Sequence, residues 1–179
     1  LMLSKTIGKH DYSLLKGEIS TDSYKETIKK LTLGFGVFTQ VIPSKWVAGE
    51  DHIWFALEQS LDAFEQKIAF TKKPELEFIV RLLAQKQLSK ALEGAEFGKG
   101  TEFGKEPLVL VIGSSDKKIV SEIKEKLAFE EKEIKLGLNK SELIKFFGIE
   151  EKEIESLADV KNPLEELIVE RCAFVSLEK

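Results

Sequence analysis

Residues Leu108–Ile112 are five apolar residues in a row, with a charged, glycine-rich stretch before them and Gly113, Ser114, Ser115 and Asp116 after them. A run this short, rich in branched side chains and closed by turn residues, reads as a strand with no polar face. Such a strand belongs at the centre of a sheet packed under helices, because neither of its faces can meet water. Residues 173–177 form a second apolar run and are read as a final strand, central for the same reason. Residues 12–19 and 37–42 read as further strands. Between them a helix over 21–31 starts at Thr21 and puts Tyr24, Ile28 and Leu31 on one face.

The helical spacing is clearest in the middle of the chain. After the loop marked by Pro43 and Gly49, Asp51 is placed to cap a helix in which Ile53, Leu57, Leu61, Phe64 and Ile68 recur at three- and four-residue steps. A loop over residues 70–73 leads to Pro74, suited to the first position of a helix that turns Leu76, Ile79, Val80 and Leu83 inward. The spacing slips at residues 85–87, and Leu88, Ala91, Leu92 and Ala95 restart it, so two helices or one bent helix meet there. Residues 94–106 repeat Glu-Phe-Gly-Lys at 96–99 and 102–105, too briefly for a repeat fold, and read as an exposed loop. Asp116 opens a helix using Ile119, Ile123 and Leu127. Asn139 with Glu142 resembles a capping box, and Gly148 ends that helix. Asn162, Pro163 and Glu165 open the last one, which runs to about Arg171. The expected fold is α+β: a single domain over residues 1–179, with a small, mostly antiparallel sheet packed against several helices.

Composition narrows the function classes. A chain of 179 residues can bury a core without staples, and its one cysteine excludes an internal disulfide and a cysteine-based zinc cluster. No apolar run approaches the roughly 20 residues of a membrane helix, and the N-terminus lacks a leader pattern, so a cytoplasmic protein without membrane contact is expected. Lysine and glutamate number 25 each, against two arginines, Arg81 and Arg171, a bias found in hyperthermophile proteins. The net charge of −4 is uneven: residues 67–118 carry 10 bases and 7 acids, so the chain is no general nucleic-acid magnet but can hold a local phosphate-facing patch.

Catalytic signatures are sparse. Two histidines, His10 and His52, cannot make a metal set, and neither a zinc-protease helix nor a nucleophile elbow occurs. The GxxxGK stretches at 94–99 and 100–105 are one residue short of a P-loop, lack the following Ser or Thr, and precede a strand instead of following one. Asp116 would repel phosphate from the helix start after residue 112 and reads as an ordinary cap. Cys172 reads as a buried structural thiol. No catalytic residue and no cofactor or metal is expected, although acid–base pairing among so many carboxylates stays open on sequence alone.

One segment resists a packing explanation. Arg81, Gln85, Lys86, Gln87 and Lys90 cluster at the helix junction, and Lys72 and Lys73 lie one helix length upstream. Cations and amides at a helix start can bond phosphate oxygens or a partner's backbone. The plainer alternative is a solvated turn with a structural Arg81.

These residues also carry a resemblance. The strand and loop over 39–48, the helix holding His52, Trp54, Phe55 and Ala56, the Lys72–Lys73 loop, the helix from Glu77 to Arg81, and Gln85, Lys86, Gln87, Leu88 and Ala91 resemble the TPRKB-type family. That family is the small kinase-binding subunit of the KEOPS complex. Ala84 stands where relatives often have glycine, and Lys86 where arginine is common. The resemblance implies a non-catalytic adaptor that docks on the complex's small protein kinase/ATPase, and through it reaches the synthase subunit. It also implies help in capturing tRNA by its single-stranded 3′ end, for threonylcarbamoylation of the adenosine beside the anticodon. It places Lys72, Lys73, Arg81, Gln85, Lys86, Gln87 and Lys90 at the RNA, with apolar residues flanking them. His52, Trp54 and Phe55 are placed at the partner, while ordinary intrachain packing is the alternative for the two aromatics. A stand-alone RNA-binding domain is the rival reading.

Overall fold

The chain is described by a computed structural model that covers residues 2–20, 24–94 and 107–177. In it the apolar run Leu108–Ile112 is a strand with all five residues buried. In chain order the elements begin with β1 (Leu3–Ile7), β2 (His10–Ile19), α1 (Tyr24–Phe35) and β3 (Thr39–Pro43). Three helices follow: α2 (Glu50–Glu65), α3 (Pro74–Leu82) and α4 (Leu88–Gly94). Then come β4 (Leu108–Ile112), α5 (Lys117–Lys126) and β5 (Phe129–Glu131), and finally α6 (Lys140–Phe147), α7 (Glu151–Ser156) and α8 (Pro163–Leu177). The class is α+β, and two compact units form within it: Leu1–Ser44 with Gly100–Lys135, and Lys45–Lys99 with Leu136–Lys179. The insert over 94–106 lies outside the described residues apart from Gly94, as does the cap expected at Thr21.

The first unit is a fully antiparallel five-stranded sheet in the order β1-β2-β4-β3, with β5 also paired to β2. β4 is central, as its composition requires. Leu108, Leu110 and Ile112, alternate residues of that strand, share a core with Leu15, Ile19 and Val41 of the sheet and with Val120, Ile123 and Leu127 of α5 and its end. Asp116 is the cap expected of it: its carboxylate accepts the N–H groups of Lys118 (2.7 Å) and Ile119 (3.3 Å). β1 and β5 escape the sequence reading because one is mostly exposed and the other is three residues long.

The second unit is helical. Leu164, Leu167, Ile168, Cys172 and Val175 are buried along α8, and this three- and four-residue spacing passes unbroken through the segment expected to be a strand. No glycine or proline interrupts 171–177, so the helix continues, and the final strand is corrected to helix. Asp51 likewise does not cap α2, which starts one residue earlier with Gly49 as its N-cap. The capping oxygen comes from α8: the Glu165 carboxylate accepts the backbone N–H of His52 (3.1 Å) and a bond from the Asn162 amide (2.9 Å). A Cβ at Gly49 would collide with that carboxylate, so glycine is what lets α8 cap α2. Asn139 makes no side-chain cap, whereas Gly148 ends α6 in the left-handed region (φ 62°) as expected.

His52 is fully buried and joins three segments. The Ala48 N–H donates to its Nδ1 (3.2 Å), which leaves the proton on Nε2 to be donated to the Leu82 carbonyl oxygen (2.8 Å) at the end of α3. The Cys172 Sγ of α8 lies 3.6 Å from both Nε2 and that carbonyl oxygen. Burial pulls the His52 pKa down to about 4, the Leu82 bond only partly opposing it, and pushes the Cys172 thiol up to about 12. In the unfolded chain the imidazole takes a proton near pH 6.5, whereas the folded protein refuses it until about pH 4, so the unfolded state binds more protons in that window. Stability therefore falls as the pH drops from about 6.5 to 4, by about 3 kcal/mol at most. Urea unfolding across this range should show that slope, and His52→Gln should flatten it.

Candidate functional site

Where the sequence loses its apolar spacing, the structure makes a turn. α3 ends in a Schellman motif: Gln85 N–H donates to the Val80 carbonyl (3.0 Å) and Ala84 N–H to the Arg81 carbonyl (3.1 Å). This geometry needs a left-handed residue, and Ala84 supplies it at φ 50°, despite a Cβ that costs about 1 kcal/mol there. Alanine in place of glycine thus keeps the turn. With Leu82 O held by His52, the chain leaves α3 in a fixed direction, and residues 85–87 bridge to α4.

The turn forms one wall of a cleft of about 730 Å³, to which Gln85, Lys86, Gln87 and Lys90 contribute. Phe146 and Phe147 of α6 and Arg171, Phe174 and Val175 of α8 form the rest. Among the described residues three cations line it, and no carboxylate does. Arg171 is paired with Glu153 of α7, whose Oε1 lies 2.6 Å from its Nη2 and whose other oxygen accepts the Glu150 N–H (2.7 Å). That backbone bond first, then Arg171, holds the Glu153 carboxyl below the ordinary carboxylate range. Aromatic packing stiffens the floor: Phe146 stands 4.7 Å from Trp46 and 5.1 Å from Phe147, centroid to centroid. Phe174 remains 44% exposed at the rim.

Four residues expected at RNA therefore meet in the cleft: Gln85, Lys86, Gln87 and Lys90. Lys72 and Lys73 do not line it. They are exposed at the opposite end of α3, a nine-residue helix and so about 13 Å long. Arg81 is corrected from RNA contact to structural cation. It is 1% exposed, its Nε donates to Glu77 Oε1 (2.9 Å), and its guanidinium lies 4.9 Å from the Phe70 ring centre. Glu77 Oε2 in turn accepts the N–H groups of Phe70 and Thr71 (2.9 Å each), so the pair clamps the loop ahead of α3. The residues expected at the partner lie at different depths. His52 is the buried bridge described above, Trp54 is buried, and Phe55 is half-buried against the α6–α8 core.

Sequence reasoning missed Arg171, Phe146 and Phe174. Reading 173–177 as a strand hid the relation between Arg171 and Phe174, which are three residues apart on one helix. The rarity of arginine in this chain was the available signal. Among the described residues no three His, Cys, Asp or Glu side chains are grouped to hold a metal, and no helix is long and apolar enough to cross a membrane.

The two classes of cation separate by stability. Arg81→Met leaves the Glu77 carboxylate buried without its partner, so it should lose about 3 kcal/mol in urea unfolding. Lys90→Met, at the exposed rim, should stay within about 0.5 kcal/mol. Equal losses would contradict the assignment.

No curated protein matches the chain. A family model does: that of the kinase binding protein CGI-121 matches residues 22–176, from the approach to α1 into α8, and takes in the whole cleft. By this match, over most of its length, the chain belongs to the CGI-121 kinase-binding protein family.

Proposed function

We propose that this protein is a non-catalytic adaptor of the KEOPS complex: it binds the complex's small protein kinase/ATPase subunit and helps recruit tRNA by its single-stranded 3′ end. The observation that carries the reading is membership of a kinase-binding family over residues 22–176. Through the kinase the adaptor reaches the synthase subunit, which modifies the adenosine beside the anticodon. The setting is the cytoplasm.

The cleft supports the RNA half of the proposal. Nucleic-acid ends without a duplex are held by cations that track phosphates and by aromatic faces that stack bases. Lys86 and Lys90 supply the first and Phe174 the second, with Gln85 and Gln87 as amide donors and acceptors between them. The cations stand against a chain of net charge −4, so attraction for RNA is local to the cleft. His52 and Cys172, both buried with protons held where neutral pH does not move them, fit a structural use better than an acid–base or nucleophilic one.

Co-purification with the cognate kinase tests the proposal, repeated with tRNA carrying or lacking its 3′ tail. A stoichiometric complex is expected, with tRNA retention that needs the tail, weakens in Lys86→Glu and falls with salt. Absence of a kinase complex at micromolar concentrations would contradict the adaptor. Full tRNA affinity without the kinase, together with no effect on kinase activity, would favour a stand-alone RNA-binding domain. ATP hydrolysis by the purified protein would contradict the non-catalytic reading.

A further inference from the structure

The second wall of the cleft is built by α8, and its exposed groups are of a different chemical kind from those on the turn. Ile168, Cys172 and Val175 anchor the helix in the core, while Arg171 and Phe174 face the cleft. Three residues apart, these two lie on one helix face with Cβ atoms about 5–6 Å from each other, a spacing comparable with the reach from a phosphate to its own base.

Arg171 is held, yet not used up. Glu153 takes one of the five N–H donors of the guanidinium, and Glu153 is itself fixed by the Glu150 N–H inside the capping box of α7. The planar fork is thereby oriented, with its side chain 26% exposed at the cleft. A fork of this kind binds a phosphate through two parallel bonds, which the lysines of the other wall cannot do. Phe174 is a large ring left 44% exposed beside it, as a stacking platform must be.

We infer that α8 is the selective wall of this cleft: Arg171 receives a backbone phosphate of a single-stranded RNA end, and Phe174 stacks the adjoining base. The inference rests on the RNA-recruiting reading above and deepens it. It also gives Glu153 two opposed effects, since its carboxylate orients Arg171 and repels the phosphate that Arg171 receives. Glu153→Gln keeps the acceptor oxygen and removes the charge, so it should tighten binding.

The test is a fluorescence anisotropy titration of the full chain with a hairpin RNA bearing a four-nucleotide single-stranded 3′ tail. The blunt hairpin is the control, and the titration is repeated over a salt series. Arg171→Met should weaken binding about tenfold and reduce the salt slope by about 0.7, the loss of one single-strand phosphate contact. Phe174→Ala should weaken binding about tenfold with the slope unchanged, because stacking releases no counterions. Glu153→Gln should bind about twofold tighter.

If Lys86→Glu weakens binding while Arg171→Met and Phe174→Ala bind as the unaltered protein does, α8 is not part of the site and the inference falls, with the RNA reading intact. If Lys86→Glu and both α8 variants all bind normally, the RNA reading falls with it. If Glu153→Gln weakens binding as much as Arg171→Met, the ion pair serves only to hold α7 on α8, and the inference is overturned.

Discussion

The second unit depends on one neutral imidazole. His52 is the point at which the start of α2, the end of α3 and the middle of α8 are tied together: Ala48 N–H and Leu82 C=O bond its two ring nitrogens, and Cys172 closes over it. Both backbone groups are ones that helix geometry leaves without partners or close to it, since Leu82 ends a helix and Ala48 precedes one. Replacing the ring by an apolar one would strand the Ala48 N–H and leave the Leu82 carbonyl only the weak Cys172 thiol, at the cost of unmade bonds in the core. The Glu165 carboxylate completes the arrangement by capping α2 through the His52 N–H, in space that exists only because residue 49 is glycine. What this fixes is direction. With Leu82 O engaged, the Schellman turn at Ala84 follows in one geometry, and the residues after it become a wall of the cleft.

Charge is distributed by burial. One of the two arginines is inside, where Arg81 and Glu77 neutralise each other and also bond the loop N–H groups of Phe70 and Thr71. A buried pair of this kind adds little net stability over an apolar alternative, but it holds a defined loop geometry and is costly to break on one side. The other arginine is at the cleft, paired at its rim with Glu153. The other cations of the cleft are Lys86 and Lys90, and a lysine ammonium is a strongly hydrated point charge. On the proposed reading, directional recognition of a phosphate would fall to Arg171, with the lysines contributing attraction that salt screens.

The sheet and the site were legible in the sequence to different degrees, for physical reasons. Leu108–Ile112 could only be a central strand, and it is one. Pro74, Asp116 and Gly148 act locally, so their roles as helix start, cap and stop were readable from neighbours alone. The polar step was visible as a break in apolar spacing, and four of its residues do line the cleft. Arg81 was misplaced because the groups that neutralise it are set by burial, which a list of charges does not contain. Trp54 and Phe55 looked surplus to one helix face, but α2 is packed on more than one side, so both find cover within the chain. The α8 wall was lost because 173–177 has strand-like composition, and only the longer helical phase set from Leu164 onward shows otherwise. Long-range capping of α2 by Glu165 had no local signal at all.

The central claim is that the turn after α3 and the exposed face of α8 form one RNA-binding surface. Amide hydrogen exchange of the full chain, with and without the tailed hairpin RNA, tests it most directly. The account predicts slowed exchange in both segments, residues 83–90 and 171–175, with the sheet of the first unit unchanged. Protection confined to the loop that carries Lys72 and Lys73, or no protection at the turn and α8 when the RNA is bound, would contradict it.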